Sequence, residues 1–250
     1  MKEITFEILD NRKIADRTYE MVLSDRGNGH GIANPGQFVN IRIDGFFLRR
    51  PISVCDWNDE NITLIYKTVG AGTEVMSRMT KGHELDILTP LGNGFDISDS
   101  TALGARPLLI GGGAGVPPMY GLCKALLAQG KEPAVVLGFN SADESFYIER
   151  FRELGAETIV TTADGSIGIK GFVTDAVKSL NATYFFTCGP EVMLRALDDT
   201  ISEDIDGQLS FEERMGCGFG ACMGCSCETK YGSKRICKEG PVLKRGEIIW

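Results

Sequence analysis

The stretch MGCGFGACMGCSCE, residues 215–228, decides how this sequence is interpreted, and RICKEG at residues 235–240 completes it. Together they hold four cysteines spaced C-x4-C-x2-C, then eleven residues, then C, namely Cys217, Cys222, Cys225 and Cys237. This is the plant-type [2Fe–2S] spacing. The intervening glycines allow tight turns that aim backbone N–H groups at sulfur. The segment therefore predicts an iron–sulfur cluster, a group that passes single electrons.

Two other uses of these thiols remain open from the residues alone. A structural zinc site prefers two short C-x2-C knuckles, and only one such pair is present. Disulfides are disfavoured because the start MKEITF shows no signal peptide, so we expect a cytoplasmic protein with reduced thiols. Cys227 lies outside the spacing and is interpreted as a non-ligand on the loop wall. Cys55, Cys123 and Cys188 are expected to be small buried residues.

The composition is that of a globular protein and excludes some partners. The chain has 250 residues, 43% of them hydrophobic and 24% charged, with a net charge of −8. Because no basic stripe is present, the chain is not expected to bind nucleic acid. The most apolar stretch, residues 107–123, is interrupted by glycines and prolines, so no membrane span is predicted. The length allows two or three small domains.

Residues 1–100 predict a small antiparallel β-barrel. Short alternating runs are separated by turn signals, and only GTEVMSRMT at residues 72–80 looks helical. The runs are TFEIL (5–9), TYEMVLS (18–24), QFVNIRI (37–43), NITLIYKTV (61–69) and HELDILTPLG (83–92).

Residues 101–206 show a different pattern, in which buried strands alternate with helices. This alternation predicts a parallel sheet covered on both faces, an architecture typical of nucleotide-binding domains. Residues 207–250 are assigned to the cluster and are expected to end in a short strand, EIIW (247–250).

Four short motifs indicate where nucleotides could bind. Gly111–Gly115 join a strand to a helix that begins with prolines, an arrangement that brings backbone N–H groups to a pyrophosphate. Cys188-Gly189-Pro190 end a later strand at the same edge of the sheet. In the barrel, Arg49-Arg50-Pro51-Ile52-Ser53 offers a guanidinium that can fork onto a phosphate, and Gly70–Thr73 forms a second candidate turn. Each motif alone could be an ordinary turn, and the glycine loop lacks the last glycine of G-x-G-x-x-G.

Taken together, RRPIS, VGAGT, GGGAGVPP and CGP resemble the motifs of the ferredoxin–NADP reductase superfamily. With the cysteine segment and the closing GPVLKRGEIIW, the whole chain is similar to the electron-transfer subunits of NAD-linked dihydroorotate dehydrogenase B. The resemblance implies three parts: an FAD-binding barrel (1–100), an NAD-binding α/β domain (101–206) and a [2Fe–2S] domain (207–250).

The resemblance also implies roles for individual residues. Arg50 would bind the FAD pyrophosphate, and Gly72 and Thr73 would bind its phosphate oxygens. Ser53 would hydrogen-bond near flavin N5. The remaining flavin contacts would come from Pro51, Ile52, Ile65, Tyr66 and Lys67. The dinucleotide would be held by Gly111, Gly112, Gly113, Gly115, Cys188, Gly189 and Pro190, and the cluster by Cys217, Cys222, Cys225 and Cys237.

The activity implied by the resemblance is electron transfer in pyrimidine biosynthesis. Electrons from an FMN-containing catalytic subunit, in a complex of two plus two chains, would cross the cluster and FAD to reach NAD+. NAD is favoured over NADP because GFNSADES, after the second α/β strand, offers no Lys or Arg for a 2′-phosphate. His30 and His83 are expected to be solvated loop residues, so no catalytic base is assigned. A related sulfide dehydrogenase or NADPH–ferredoxin oxidoreductase complex is the alternative.

Overall fold

A closed antiparallel barrel forms the N-terminal part of the computed structural model, which describes all residues, 1–250. Its strands run in the order β1-β2-β5-β4-β3-β6, and a short helix, α1, lies between β5 and β6. The elements are β1 (Lys2–Ala15), β2 (Thr18–Ser24), β3 (Phe38–Ile41), β4 (Arg50–Trp57), β5 (Asn61–Lys67), α1 (Ala71–Met76) and β6 (Glu84–Leu91). Alternate residues fill the barrel interior, as the sequence pattern predicted.

Strand β4 was not among the predicted strands, because Pro51 lacks the N–H that a strand donates. The register explains how the proline is tolerated. Residues 50–53 pair only with β3, and pairing with β5 begins at Val54. The N-terminal half of β4 therefore has one free backbone edge, which is where proline occurs in sheets.

The second part is a parallel sheet in the order β10-β9-β8-β7-β11-β12, with helices packed on it. Pro117 and Pro118 lie in the first turn of α3, where proline costs no hydrogen bond. The elements are α2 (Ser100–Leu103), β7 (Leu108–Gly112), α3 (Val116–Ala128), β8 (Ala134–Phe139), α4 (Ile148–Glu153), β9 (Glu157–Thr162), β10 (Ile169–Lys170), α5 (Val173–Val177), β11 (Phe185–Cys188), α6 (Glu191–Thr200) and β12 (Gly207–Ser210).

The cysteine segment folds back onto both other parts. It contains a hairpin, β13 (Ser226–Thr229) with β14 (Gly232–Arg235), and a last strand, β15 (Val242–Lys244), which is antiparallel to β12 and extends the large sheet. The sheet thus continues beyond residue 207. The fold class predicted from the sequence, a barrel, a parallel α/β sheet and a small C-terminal cysteine domain, is confirmed.

Two local predictions are wrong. Residues 247–250 form no strand, since Arg245–Glu247 make a 3-10 turn. The Arg245 side chain fixes this turn by donating to the carbonyls of Ile201 (2.8 Å) and Ile205 (2.6 Å). His30 is 4% exposed, not solvated, because its ring accepts the Ile32 N–H and contacts the Asn58 carbonyl at 2.7 Å. His83 is exposed, as expected.

The three parts share their hydrophobic interiors. One buried cluster joins Phe38 of the barrel to Leu209 of the large sheet and to Cys225 and Cys237 of the cysteine segment. Cys55, Cys123 and Cys188 are buried, as predicted. No helix has the length and hydropathy that crossing a bilayer requires.

Candidate functional site

The first cysteine turn surrounds one thiol with backbone donors. The Sγ of Cys217 accepts the N–H groups of Phe219 (3.5 Å), Ala221 (3.2 Å) and Cys222 (3.5 Å). Burial opposes the thiolate, but these hydrogen bonds outweigh it and lower the pKa of Cys217 from 9.0 to about 6. Gly218, with φ +79°, allows the chain to curl around the sulfur. Such a turn suits a metal-bound thiolate.

Of the other three predicted ligands, Cys222 is exposed, whereas Cys225 and Cys237 are buried. Cys225 and Cys237 are each 2% exposed, and the Cys237 N–H donates to the Cys225 Sγ at 3.4 Å. Burial, and then the hydrogen bond with Cys225, raise the pKa of Cys237 to about 12. The thiols stand as two pairs, Cys217 with Cys222 and Cys225 with Cys237, and not as one closed set of ligands.

The donor set nevertheless fits a [2Fe–2S] cluster. All four thiols come from one segment, and in each pair one sulfur accepts a backbone N–H group, which is how proteins hold and tune such clusters. Cys227 lies on β13 opposite Lys234, and burial raises the pKa of its thiol.

Two asparagines of the barrel hold the cysteine segment. Asn40 donates to the Cys217 carbonyl at 3.2 Å. The Asn93 amide donates to the carbonyls of Glu239 (3.2 Å) and Val242 (2.7 Å) and accepts the Val242 N–H. Neither residue was singled out from the sequence. The alternation in QFVNIRI could have placed Asn40 on the outer face of the barrel, whereas nothing near Asn93 indicates its role.

The predicted flavin residues of β4 share a barrel face with residues that meet the cysteine segment. Pro51 lies opposite Asn40, and Ser53 lies opposite Phe38. Residues directly opposite each other in an antiparallel pair project to the same side. The buried Oδ1 of Asn40 has no hydrogen-bond partner, so this face contains an acceptor that a bound group can satisfy.

Arg50, the predicted phosphate-binding guanidinium, lies against the beginning of α1. A Cβ at Gly72 would overlap the Arg50 guanidinium, so only glycine permits this approach. The guanidinium also lies 4.9 Å from the centroid of the Phe46 ring. A cation beside the first turn of a helix fits the pyrophosphate of FAD.

The other predicted flavin contacts are divided between two sides of β5. Tyr66 points into the barrel, where it is 3% exposed and its hydroxyl donates to Asn11 at 2.9 Å, while Ile65 packs towards α3 and its neighbours. Lys67 reaches the cavity described next. The Thr73 hydroxyl donates to the Gly70 carbonyl and accepts the N–H groups of Val69 and Gly70, so it holds the turn that precedes α1.

A cavity of about 570 Å³ opens between the barrel and the α/β sheet. The two predicted dinucleotide loops are adjacent because β7 and β11 are neighbours, with Gly111 opposite Cys188. Of the predicted residues, Gly112, Gly113 and Pro190 line the cavity, whereas Gly111, Gly115, Cys188 and Gly189 do not. A Cβ at Gly115 would overlap the Cys188 carbonyl, so that glycine lets the two loops touch. Inside, the buried Thr161 Oγ1 lacks a hydrogen-bond partner. The cavity and this free hydroxyl fit a nicotinamide dinucleotide.

Three polar residues that were not predicted, Asn140, Glu144 and Glu212, line the same cavity. Lys67 of the barrel donates to the Glu144 carboxylate at 2.5 Å, and this contact lowers the pKa of Glu144. Asn140 donates to the same carboxylate. Burial raises the pKa of Glu212, which also lines the cavity. The predicted Cys188 does not line it, and burial raises the pKa of its thiol to about 12. These residues come from distant parts of the chain, and no local pattern connects them.

Comparison with known proteins agrees with this arrangement. Residues 212–249 match the family model for the iron-sulfur cluster binding domain of dihydroorotate dehydrogenase B, and residues 109–199 match the oxidoreductase NAD-binding domain. The dihydroorotate dehydrogenase B (NAD+) electron transfer subunit of Geobacillus sp. (strain WCH70) is 42% identical, covering 100% of this chain and 99% of that protein. The subunit of the same name from Fusobacterium nucleatum is 44% identical, covering 96% of this chain and 95% of that protein.

Solved structures share the fold over most of the chain. A structure of an NADH-dependent reduced ferredoxin-NADP oxidoreductase superposes with a TM-score of 0.87 at 29% identity, covering 98% of this chain and 90% of the other. Phthalate dioxygenase reductase has the same fold at 14% identity, with a TM-score of 0.69 over 91% of this chain and 87% of the other. From the identities over full length, this chain belongs to the family of dihydroorotate dehydrogenase B (NAD+) electron transfer subunits.

Proposed function

We propose that this oxidoreductase chain carries electrons from a dihydroorotate-oxidising partner subunit to NAD+, in pyrimidine biosynthesis. The observation that carries the proposal is the juxtaposition of the three candidate sites. The Cys217 turn contacts the barrel face that bears Pro51 and Ser53, and Lys67 of the barrel lines the dinucleotide cavity. A linear electron route requires such neighbouring sites.

The chain itself supplies binding and orientation. When bound, FAD exchanges a hydride with nicotinamide and releases electrons singly, whereas a [2Fe–2S] cluster carries one electron at a time. In the proposal Arg50 holds the FAD pyrophosphate, next to Gly72 and Thr73, and Ser53 faces the flavin ring near N5. Pro51, Ile52, Ile65, Lys67 and the backbone at Tyr66 form the wall against the flavin.

The dinucleotide cavity positions NAD by backbone and shape. Gly111, Gly112, Gly113 and Gly115 offer N–H groups at the start of α3, where a pyrophosphate is favoured. Cys188, Gly189 and Pro190 border the nicotinamide end in the proposal. NAD is proposed over NADP because GFNSADES, residues 138–145, carries no Lys or Arg that could pair with a 2′-phosphate.

The proposal assigns one function to each part: FAD binding to residues 1–100, NAD binding to 101–206 and the cluster, held by Cys217, Cys222, Cys225 and Cys237, to 207–250. The partner is proposed to be an FMN-containing subunit, in a cytoplasmic complex of two plus two chains. Support for a partner comes from the relatives, which are named as one subunit of a dehydrogenase.

Co-expression with the candidate partner, anaerobic purification and assay would test the proposal. We expect both flavins and the cluster in one complex, dihydroorotate-dependent reduction of NAD+, and little reduction of NADP+. A complex that carries the cofactors but leaves dihydroorotate unoxidised would contradict it.

The likeness to the NADH-dependent reduced ferredoxin-NADP oxidoreductase favours a second candidate, a related reductase complex with another partner. In that case the chain would copurify with a different subunit, and reduced ferredoxin would replace dihydroorotate as electron donor in the assay.

A further inference from the structure

Asn40 occupies the boundary between the candidate flavin face and the candidate cluster turn. It lies on β3 and is 1% exposed, directly opposite Pro51. Phe38, two residues earlier on the same face, belongs to the hydrophobic cluster that contains Cys225 and Cys237. A polar side chain at such a buried site costs stability unless its hydrogen bonds are made.

The two ends of the Asn40 amide have different surroundings. Nδ2 donates to the Cys217 carbonyl at 3.2 Å, the one side-chain hydrogen bond from the barrel to the first cysteine turn. A Cβ at Gly218 would overlap the same Nδ2, so the turn can approach the amide only with glycine there. The other end, Oδ1, points to no protein donor although it is buried.

We propose that Asn40 is a positioning residue for electron transfer: its amide fixes the Cys217 turn on the flavin-binding face of the barrel. The inference rests on the proposed function, because it takes Cys217 as a cluster ligand and the β3–β4 face as the flavin site. Electron tunnelling slows steeply with distance, and groups that orient the ligands of a metal centre also tune its properties. Asn93 holds residues 239–242, at the other end of the segment, and does not contact this turn.

The test compares Asn40→Ala and Asn40→Leu with wild type. Leucine is close to asparagine in shape and uncharged but donates no hydrogen bond to the Cys217 carbonyl, so it separates the donor from the space that the side chain fills. Asn58→Ala is the control, because its Oδ1 accepts only the N–H groups of Glu60 and Asn61 in an exposed barrel turn. The readouts are flavin and iron content, the electron paramagnetic resonance spectrum of the reduced cluster, and its stopped-flow reduction after NADH is added.

For both Asn40 variants, flavin content is measured and cluster reduction is compared per bound flavin, because the Asn40 side chain lies on the candidate flavin face. Their resonance spectra should shift, and cluster reduction should slow roughly tenfold, as is typical when a group that orients a metal ligand is lost. The control should match wild type in every readout. If Asn40→Ala loses its iron, the comparison of Asn40→Leu with wild type decides the inference.

Gly218→Ala provides an independent test. The added methyl meets the Asn40 amide, so combining it with Asn40→Ala should recover part of the loss in cluster reduction that Gly218→Ala causes alone. Wild-type spectra and cluster-reduction rates in both Asn40 variants would overturn the inference. Wild-type protein that binds neither flavin nor cluster would overturn the proposed function instead.

Discussion

At the scale of residues, Arg49 and Arg50 are neighbours in the chain, but their guanidinium groups have different contacts. Arg49 pairs with Asp86 at 3.0 Å and with Glu3, whereas Arg50 lies beside Gly72. Arg50→Ala should therefore weaken FAD binding by roughly 1.5–3 kcal/mol, the value of a charge-assisted contact. Flavin-to-protein ratios and titration with FAD measure this. Arg49→Ala is the matched control, and equal flavin loss in the two variants would contradict the assignment.

Cys222 and Cys227 provide the second residue-scale prediction. Cys222 is exposed in the ligand spacing, whereas Cys227 lies on β13 outside it. We expect Cys227→Ser to retain iron and sulfide and Cys222→Ser to lose them, because serine replaces a ligand only in the latter. Chemical iron and sulfide assays decide the matter, and a cluster lost from Cys227→Ser but kept in Cys222→Ser would change the ligand set.

Single residues differ in how far the sequence reveals them. The cysteine ligands could be proposed from spacing, because a cluster imposes short, fixed intervals on one segment. Asn40, Asn93 and Thr161 could not, since their partners lie far away in the sequence or are absent from it. The burial of His30 was missed because a glycine-containing loop gave no sign of the Asn58 carbonyl that meets its ring.

At the scale of elements, the cysteine segment depends on Asn93 for its attachment to the barrel. Asn93→Ala removes three side-chain hydrogen bonds to residues 239–242 and leaves buried backbone groups unpaired. We expect a loss of about 2–4 kcal/mol in unfolding free energy, measured by denaturant unfolding of the holoprotein. Asn28→Ala, which removes one bond to the Asp25 carbonyl, is the control. If Asn93→Ala and Asn28→Ala had the same free energy of unfolding, Asn93 would not be what attaches the cysteine segment to the barrel.

Elements with a strong local pattern were predictable, and elements that depend on distant partners were not. The α/β strands and helices follow from their apolar runs and glycine turns. β4 was missed because Pro51 is tolerated only on the free edge that the register creates. EIIW is apolar and looks like a strand, but Arg245 bonds to carbonyls after α6 and turns the chain.

At the scale of the whole molecule, the three parts form a continuous unit through which electrons can pass in sequence. The large sheet extends from β10 to β15, and one hydrophobic cluster reaches from the barrel to the cysteine segment. The isolated chain should accept electrons from NADH, because it contains the candidate flavin and dinucleotide sites. It should not turn over dihydroorotate by itself, because its relatives are named as electron transfer subunits. Anaerobic assays with each substrate separate the two activities.

The central claim, that electrons cross the cluster between the partner and the flavin, is tested most directly by Cys225→Ser in the reconstituted complex. Cys225 is 2% exposed and removed from the dinucleotide cavity, so its loss should leave that cavity intact. The account predicts that transfer from dihydroorotate to NAD+ is abolished while NADH oxidation by artificial acceptors persists. A Cys225→Ser complex that transfers electrons from dihydroorotate to NAD+ at the wild-type rate would contradict it.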